Sequence, residues 1–410
     1  MILEAGGSRL EIANQKSEIR NQNPQRRSGF TDSLIGWYRQ NKRAMPWRGT
    51  RDAYRIWISE IMLQQTRVAV VIPYYQRFVK KFPTVHALAR ARPGEVLRHW
   101  AGLGYYSRAR NLHRAARAMV WQHDGEFPHD AAQALALPGV GRYTAAAVLS
   151  IAYGEPQAVL DGNVARVLAR LRGLRGELRK KGRWLRLERM AQEWMNAAVT
   201  EGKGKRGNRK GEGKPPGGHS AGRAAGEWNQ AMMELGATVC TPRSPNCAAC
   251  PVSKQCRARI LGLQEKIPPA RKEPIPVRLT IAAAVLVDRR NKTLLTRPAE
   301  DNCAELFSRM WQFPAVRVKQ DAKRELWRHL SALTNSVSFD LDPLAPARHA
   351  VTYRNIELAP FLARLDPLPL PRGARAVPLK TIDSLPISNA TRKIAHAALR
   401  ELQAAPRAAR

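Results

Sequence analysis

The chain has 410 residues, 44% of them hydrophobic, which leaves room for two domains and an ordinary soluble core. No apolar run approaches the ~18–20 residues of a membrane span, and the first 29 residues lack the apolar stretch of a secretory leader, so the expected location is the cytoplasm. Lysine and arginine number 69 against 33 acidic residues, a formal charge of +36 at pH 7. Such a field favours a polyanion, although arginine drift in a GC-rich genome produces the same excess.

Residues 1–29 read as a disordered polar tail. From Phe30 to Leu263 the pattern is helical, with apolar residues at three- and four-residue spacing (Ile56, Trp57, Leu63; Val164, Val167, Leu168, Leu171) and breaks at Pro83, Pro93, Gly102, Pro128 and Pro138. Within it, Gly202 to Gly226 is rich in glycine, lysine and arginine and almost free of apolar side chains, which predicts a flexible basic insertion. Residues 264–278, with Pro268, Pro269, Pro274 and Pro276, read as an extended linker. Beyond it the period shifts toward two. Leu279 to Val287 is expected as a buried strand, Thr293 to Thr296 as its hairpin partner, Ala322 to Leu333 as a helix and Val351 to Leu365 as a further strand pair. The expected fold is a mainly α region, 30–263, followed by a smaller α+β domain, 279–400.

Three features carry chemistry. Leu137-Pro138-Gly139-Val140-Gly141 lies between two helical runs, where glycines allow a tight turn and leave amides free at the next helix start, a geometry that holds phosphate. An ordinary helix–turn–helix reads the same way. Asp161 opens a later helix; such an aspartate is usually an N-cap, but beside a phosphate-gripping hairpin it can also face a sugar. Cys240, Cys247, Cys250 and Cys256 form C-x6-C-x2-C-x5-C, a four-thiolate set. Zinc is open as its metal, but zinc ribbons usually show two C-x-x-C pairs, and the wide, unequal gaps favour a cubane 4Fe-4S cluster. A disulfide framework fits worst, because Cys303 is isolated and nothing suggests secretion.

Together the hairpin, the trailing aspartate and the cysteine loop resemble the helix–hairpin–helix DNA glycosylase superfamily. Ser59 to Thr66, Gly102 to Leu112, Leu160 to Arg170 and Trp228 to Met233 resemble its adenine DNA glycosylases of the MutY type. The resemblance runs from about Phe30 to the end, most strongly through Arg259. It implies a monofunctional enzyme of bacterial base excision repair, a monomer associated with the nucleoid. Its partner would be double-stranded DNA with adenine opposite 8-oxoguanine or guanine. Glu60, in an apolar helix that should raise its pKa, would be the general acid and then activate water. Asp161 would stabilise the cationic or covalent sugar, Asn163 would orient the site and Tyr143 would hydrogen-bond near the aspartate. A lysine at the position of Tyr143 marks strand-cleaving relatives similar to endonuclease III; tyrosine cannot form that Schiff base. Trp47, Arg48 and Met62 would line the adenine pocket. Gln65 would fill the vacated space, Leu103 and Tyr105 would press into the stack, and Leu137, Gly139 and Gly141 would grip phosphate. Arg243, Lys254 and Arg257 in the cysteine loop would place positive charge along the phosphates.

The C-terminal domain resembles a Nudix fold. The glutamates a Nudix hydrolase needs are missing: Arg328 and His329 stand where two belong and Val316 replaces a third. The domain would instead read 8-oxoguanine through Arg348 to Tyr353, with His349 and Thr352 as contacts. Tyr353 departs from the final histidine of the family's loop, which bears on lesion discrimination.

Overall fold

Among the described residues the elements as far as Ile260 are helices, and the strands begin only at Val277. The computed structural model describes residues 24–204, 220–270, 275–297, 310–334, 339–351 and 353–404. Most of the expected tail, the centre of the basic insertion, Cys303 and Thr352 lie outside the described residues. Two compact units emerge, each discontinuous in sequence: the described parts of Met1–Gln65 with Ala118–Arg271, and of Thr66–Arg117 with Lys272–Arg410.

The first unit is helical. The helix Pro24–Asn41 begins six residues inside the stretch read as a tail, and Lys181–Gly204 and Ser220–Thr238 run into the basic insertion from either side. Their apolar stripes, with that of Gly162–Arg172, close on one core of Leu34, Leu168, Leu187, Met195, Trp228 and Met232. Two close backbone approaches set this packing. A β-carbon at Gly226 would lie 2.9 Å from Ser150 O, and one at Gly236 would lie 2.9 Å from Asn163 Cβ. Only glycine lets the Ser220–Thr238 helix lie so near to both segments.

The second unit has a helical part and a sheet part. Helices Val68–Lys81, Val85–Arg90, Pro93–Trp100 and the start of Tyr106–Gln122 carry an aromatic cluster in which the Phe78 ring lies 4.9 Å from Phe82 and 5.9 Å from Trp100. The sheet contains β1 (Val277–Val287), β2 (Lys292–Thr296), β3 (Ala315–Arg317), β4 (Asp342–Pro343), β5 (Ala347–Val351), β6 (Arg354–Arg364) and β7 (Ala374–Pro378). The expected β1–β2 hairpin is present, its turn held by Asp288 Oδ1 accepting from Lys292 N at 2.7 Å. β1 also runs parallel to β6 along its whole length, from Val277↔Arg354 to Val287↔Arg364. Alternate β1 residues face opposite cores. Ala283, Val285 and Val287 pack with the Asn389–Ala404 helix. Ala282, Ala284 and Leu286 share the other core with Leu326 and Leu330 of the Ala322–Thr334 helix. The α+β architecture read from the sequence is therefore seen, with helices on both sheet faces.

Candidate active site

Glu60 sits in the Ala53–Leu63 helix, capped by Asp52, whose Oδ1 accepts Arg55 N at 3.2 Å. Ile56 through Met62 are all buried, so this helix is enclosed on every side and takes the carboxyl inside with it. Burial pushes the Glu60 pKa up to about 7; the Tyr143 hydroxyl opposes this, the charge of Asp161 adds to it and Arg48 opposes it. Glu60 Oε2 is buried without a hydrogen-bond partner. A buried carboxyl oxygen with nothing to receive its proton costs stability in the resting protein, and such costs are retained where the group acts on something that arrives.

Tyr143 follows the hairpin on the Arg142–Val148 helix. Its hydroxyl donates to Met233 Sδ at 3.0 Å, and the Glu60 charge acts on it as well. Burial holds the phenol well above its usual pKa, so it remains a donor.

Asp161 is the N-cap of the Gly162–Arg172 helix. Its Oδ1 accepts Asn163 N at 2.9 Å and Val164 N at 2.7 Å, while Oδ2 accepts Asn163 Nδ2 at 3.1 Å. The capping reading of this residue is therefore seen, and the cap bonds orient a carboxylate whose charge acts on Glu60. Asn163 Oδ1 in turn accepts Arg166 Nη2 at 3.0 Å, and Arg166 donates onward to Gly236 O and Cys240 O. Buried Asn229 accepts Val159 N at 3.0 Å and donates to Gln157 O, fixing the segment that leads into Asp161.

Glu234 ties Arg43 and Arg48 together. Arg43 Nε donates to Oε1 at 2.6 Å, and Arg48 Nη2 donates to Oε2. Burial pushes Glu234 up, but the two guanidiniums outweigh it and hold the carboxyl below its usual range. The Arg48 guanidinium also lies over the Tyr38 ring at 5.5 Å. Trp47 and Met62 are buried. Gln65, exposed just after the Ala53–Leu63 helix, has φ +57, a left-handed conformation uncommon outside glycine. In the hairpin, Leu137 is buried, Gly139 has φ +78, and Gly141 starts the next helix without a side-chain cap, leaving its first amides open.

The four cysteines are half-buried and free of disulfides. Burial raises the Cys250 thiol to about 11, and the charges of Cys240, Cys256 and Cys247 push the same way. Among the described residues no three potential ligands gather as they would around a metal ion. The charges of the other three thiols reach Cys250, so the four cysteines share one neighbourhood, and four thiolates are a donor set that a cluster can take. Arg170, 2% exposed, binds the loop: Nε donates to Ile267 O at 2.7 Å, Nη1 to Thr241 O at 2.6 Å and Nη2 to Pro242 O at 3.0 Å.

Arg243, Lys254 and Arg257 lie in the first unit with the cysteines, and Leu103, Tyr105 and His349 lie in the second. Leu103 is buried, whereas Tyr105 is 37% exposed with φ +49. His349 is half-buried on β5, its pKa lowered by burial and by Lys393. Glu325 accepts the backbone N–H groups of Lys319, Gln320 and Asp321, so it serves the start of its helix. The sequence reading gave no role to Arg166, Arg170, Asn229 or Glu234. The available signal was charged residues four apart, Arg166 and Arg170, within a helix whose Val164–Leu171 stretch is otherwise apolar apart from alanine.

The helix–hairpin–helix base excision DNA repair protein superfamily model matches residues 58–192. The adenine DNA glycosylase of Buchnera aphidicola subsp. Acyrthosiphon pisum is 30% identical over 341 residues, covering 82% of this chain and 87% of its own. The chain belongs to the adenine DNA glycosylase family. The human adenine DNA glycosylase is 41% identical over 277 residues, 65% of this chain and 44% of the human protein. The chain spans less than half the length of the human, mouse and rat family members it matches. A solved thermostable thymine-DNA glycosylase is 28% identical and covers 58% of this chain and 98% of its own, with a TM-score of 0.48. In this family member, no helix among the described residues is long and apolar enough to cross a membrane.

Proposed function

We propose that this chain is a monofunctional DNA glycosylase that flips adenine out of a mispair with 8-oxoguanine or guanine and hydrolyses its glycosidic bond. The observation that carries the reading is the buried Glu60 carboxyl, half-protonated near pH 7, with an orphaned oxygen and the Asp161 charge acting on it. Adenine leaves poorly until it is protonated. An acid at about 7 still holds a proton at neutral pH and gives it up readily, a property worth ~10²–10⁴ in rate. As the bond breaks, the sugar becomes cationic, and Asp161, fixed by its cap bonds, supplies the opposing charge. Tyr143 steadies the Glu60 carboxylate left behind, which then takes a proton from the attacking water. No amine stands at position 143, so the abasic strand is left uncut.

Cys240, Cys247, Cys250 and Cys256 would hold a 4Fe-4S cluster, whose contribution is a rigid, cationic loop carrying Arg243, Lys254 and Arg257 toward phosphate. In the α+β domain, which we assign a Nudix-like role without hydrolysis, the loop around His349 and Thr352 would read the lesion. The test offers duplexes with adenine opposite 8-oxoguanine and duplexes with thymine glycol. Adenine release with an intact strand is expected; excision of the pyrimidine lesion alone would overturn the reading.

A further inference from the structure

The turn Gly102–Tyr105 contains three left-handed residues, Gly102 (φ +99), Gly104 (φ +75) and Tyr105 (φ +49). Glycine adopts such φ freely, but Tyr105 does so at a cost, and a strained residue persists only where its surroundings over-determine it. The helical part of the second unit holds two of the turn's carbonyls. Arg108 Nη2 donates to Leu103 O at 3.4 Å and to Gly104 O at 3.1 Å, and Trp100 Nε1 also donates to Gly104 O at 3.1 Å. The sheet part holds a third: Asn389 Nδ2 donates to Gly102 O at 3.3 Å. The Tyr106 hydroxyl bridges the same junction, accepting Gly102 N at 3.3 Å and donating to Ile387 O at 3.4 Å. A β-carbon at Gly102 would strike the Tyr74 hydroxyl and come within 3.6 Å of Asn389 Oδ1, so Tyr74 and Asn389 both crowd this backbone.

The bracing segment is itself anchored. The Ile387 side chain is fully buried in the sheet-side core, and Trp311 N donates to Pro386 O at 3.1 Å. Arg392 Nη1 donates to Asn389 Oδ1 at 3.0 Å, fixing the amide so that its N–H₂ faces Gly102, while Arg392 Nε is held by Asp383 Oδ1 at 2.7 Å. Asn389 does not cap its own helix. That task falls to Ser388, whose Oγ accepts Thr391 N at 3.0 Å. The Asn389 amide is therefore free for the turn.

We infer that Asn389, oriented by Arg392, is a positioning residue through which the C-terminal domain sets the conformation of the Gly102–Tyr105 turn when it enters the base stack. The inference rests on the proposed excision of adenine from duplex DNA, in which this turn acts as the wedge. It gives the C-terminal domain a second task besides contact with the opposite base: holding Tyr105 in the left-handed geometry that presents its ring.

The test uses the full chain and its Asn389→Ala and Arg392→Ala variants. The fluorescence of 2-aminopurine placed next to 8-oxoguanine reports unstacking by the turn. Single-turnover excision is followed for adenine opposite 8-oxoguanine and for adenine in a one-nucleotide bulge, where extrusion costs little. Both variants are expected to lose most of the 2-aminopurine rise. They should excise paired adenine about tenfold more slowly, yet stay within about twofold of the parent on the bulge. Equal slowing on both substrates with the fluorescence rise intact would mean a merely structural role and overturn the inference, as would no slowing on either. The two readings fail separately. Loss of the fluorescence rise in the variants supports the brace even where the parent releases no adenine, an outcome that would sink only the proposed activity.

Discussion

Asn163 binds Asp161 twice, through its backbone N–H to Oδ1 at 2.9 Å and its side-chain amide to Oδ2 at 3.1 Å. The carboxylate is thus fixed at both oxygens before any substrate arrives. The proposed function puts capping and catalysis on one residue, and substitution can separate them. Asparagine caps helices about as well as aspartate, so Asp161→Asn should keep stability within about 0.5 kcal/mol and lower single-turnover excision by roughly 10² or more. Asp161→Ala should lose the activity and, in addition, ~1 kcal/mol in a denaturant titration.

With Glu60 as the proposed acid, its raised pKa should set the pH dependence. Its carboxyl is protonated below about 7, so the excision rate should be level on the acid side and fall about tenfold per pH unit above that point. The same shift acts on stability. The folded chain binds this proton more tightly than the unfolded chain, where a glutamate titrates at 4.5. The resulting stability is complete below the unfolded value and is lost as pH rises through about 7. Glu60→Gln, uncharged throughout, should therefore be more stable than the parent at pH 8 by ~1–3 kcal/mol, measured by urea unfolding, and equal to it near pH 4.

The charges of Glu60 and Asp161 both act on Tyr143, so in the proposed reaction an amine in its place would meet the same sugar. Tyr143→Lys is expected to become trappable on DNA by borohydride, the signature of a Schiff base, while the parent is not. Absence of trapping, with the variant folded and able to bind mispaired DNA, would show that position 143 does not face the reacting carbon.

The fit of Gly236 against Asn163 gives a structural check. A β-carbon there would lie 2.9 Å from Asn163 Cβ, so Gly236→Ala must push the Gly162–Arg172 and Ser220–Thr238 helices apart. The expected cost is ~1–3 kcal/mol in denaturant unfolding, with slower excision because Asn163 moves with its helix.

Much of this was legible in the sequence because it is local. Periodicity gave the Ala53–Leu63 and Gly162–Arg172 helices, and with them the burial of Glu60 and the capping position of Asp161. The β1–β2 hairpin followed from alternation on either side of a short turn. What stayed hidden is long-range. The parallel pairing of β1 with β6 joins segments about 75 residues apart, and no local pattern announces it. Arg170 looked like one more basic residue in a basic chain, yet it is buried and holds three loop carbonyls. Leu103 and Tyr105 both read as residues that press into the stack, but Leu103 is buried and Tyr105 exposed, a difference that the left-handed turn between them sets and no sequence pattern announces.

The central claim is that Glu60 protonates an extruded adenine, and free adenine released from a duplex carrying it opposite 8-oxoguanine measures this most directly. With its iron loaded, the parent should release adenine and leave a strand that breaks only under alkali, while Glu60→Gln should bind the same duplex and release none. Release by Glu60→Gln at the parent's rate, or no release by the loaded parent, would contradict it.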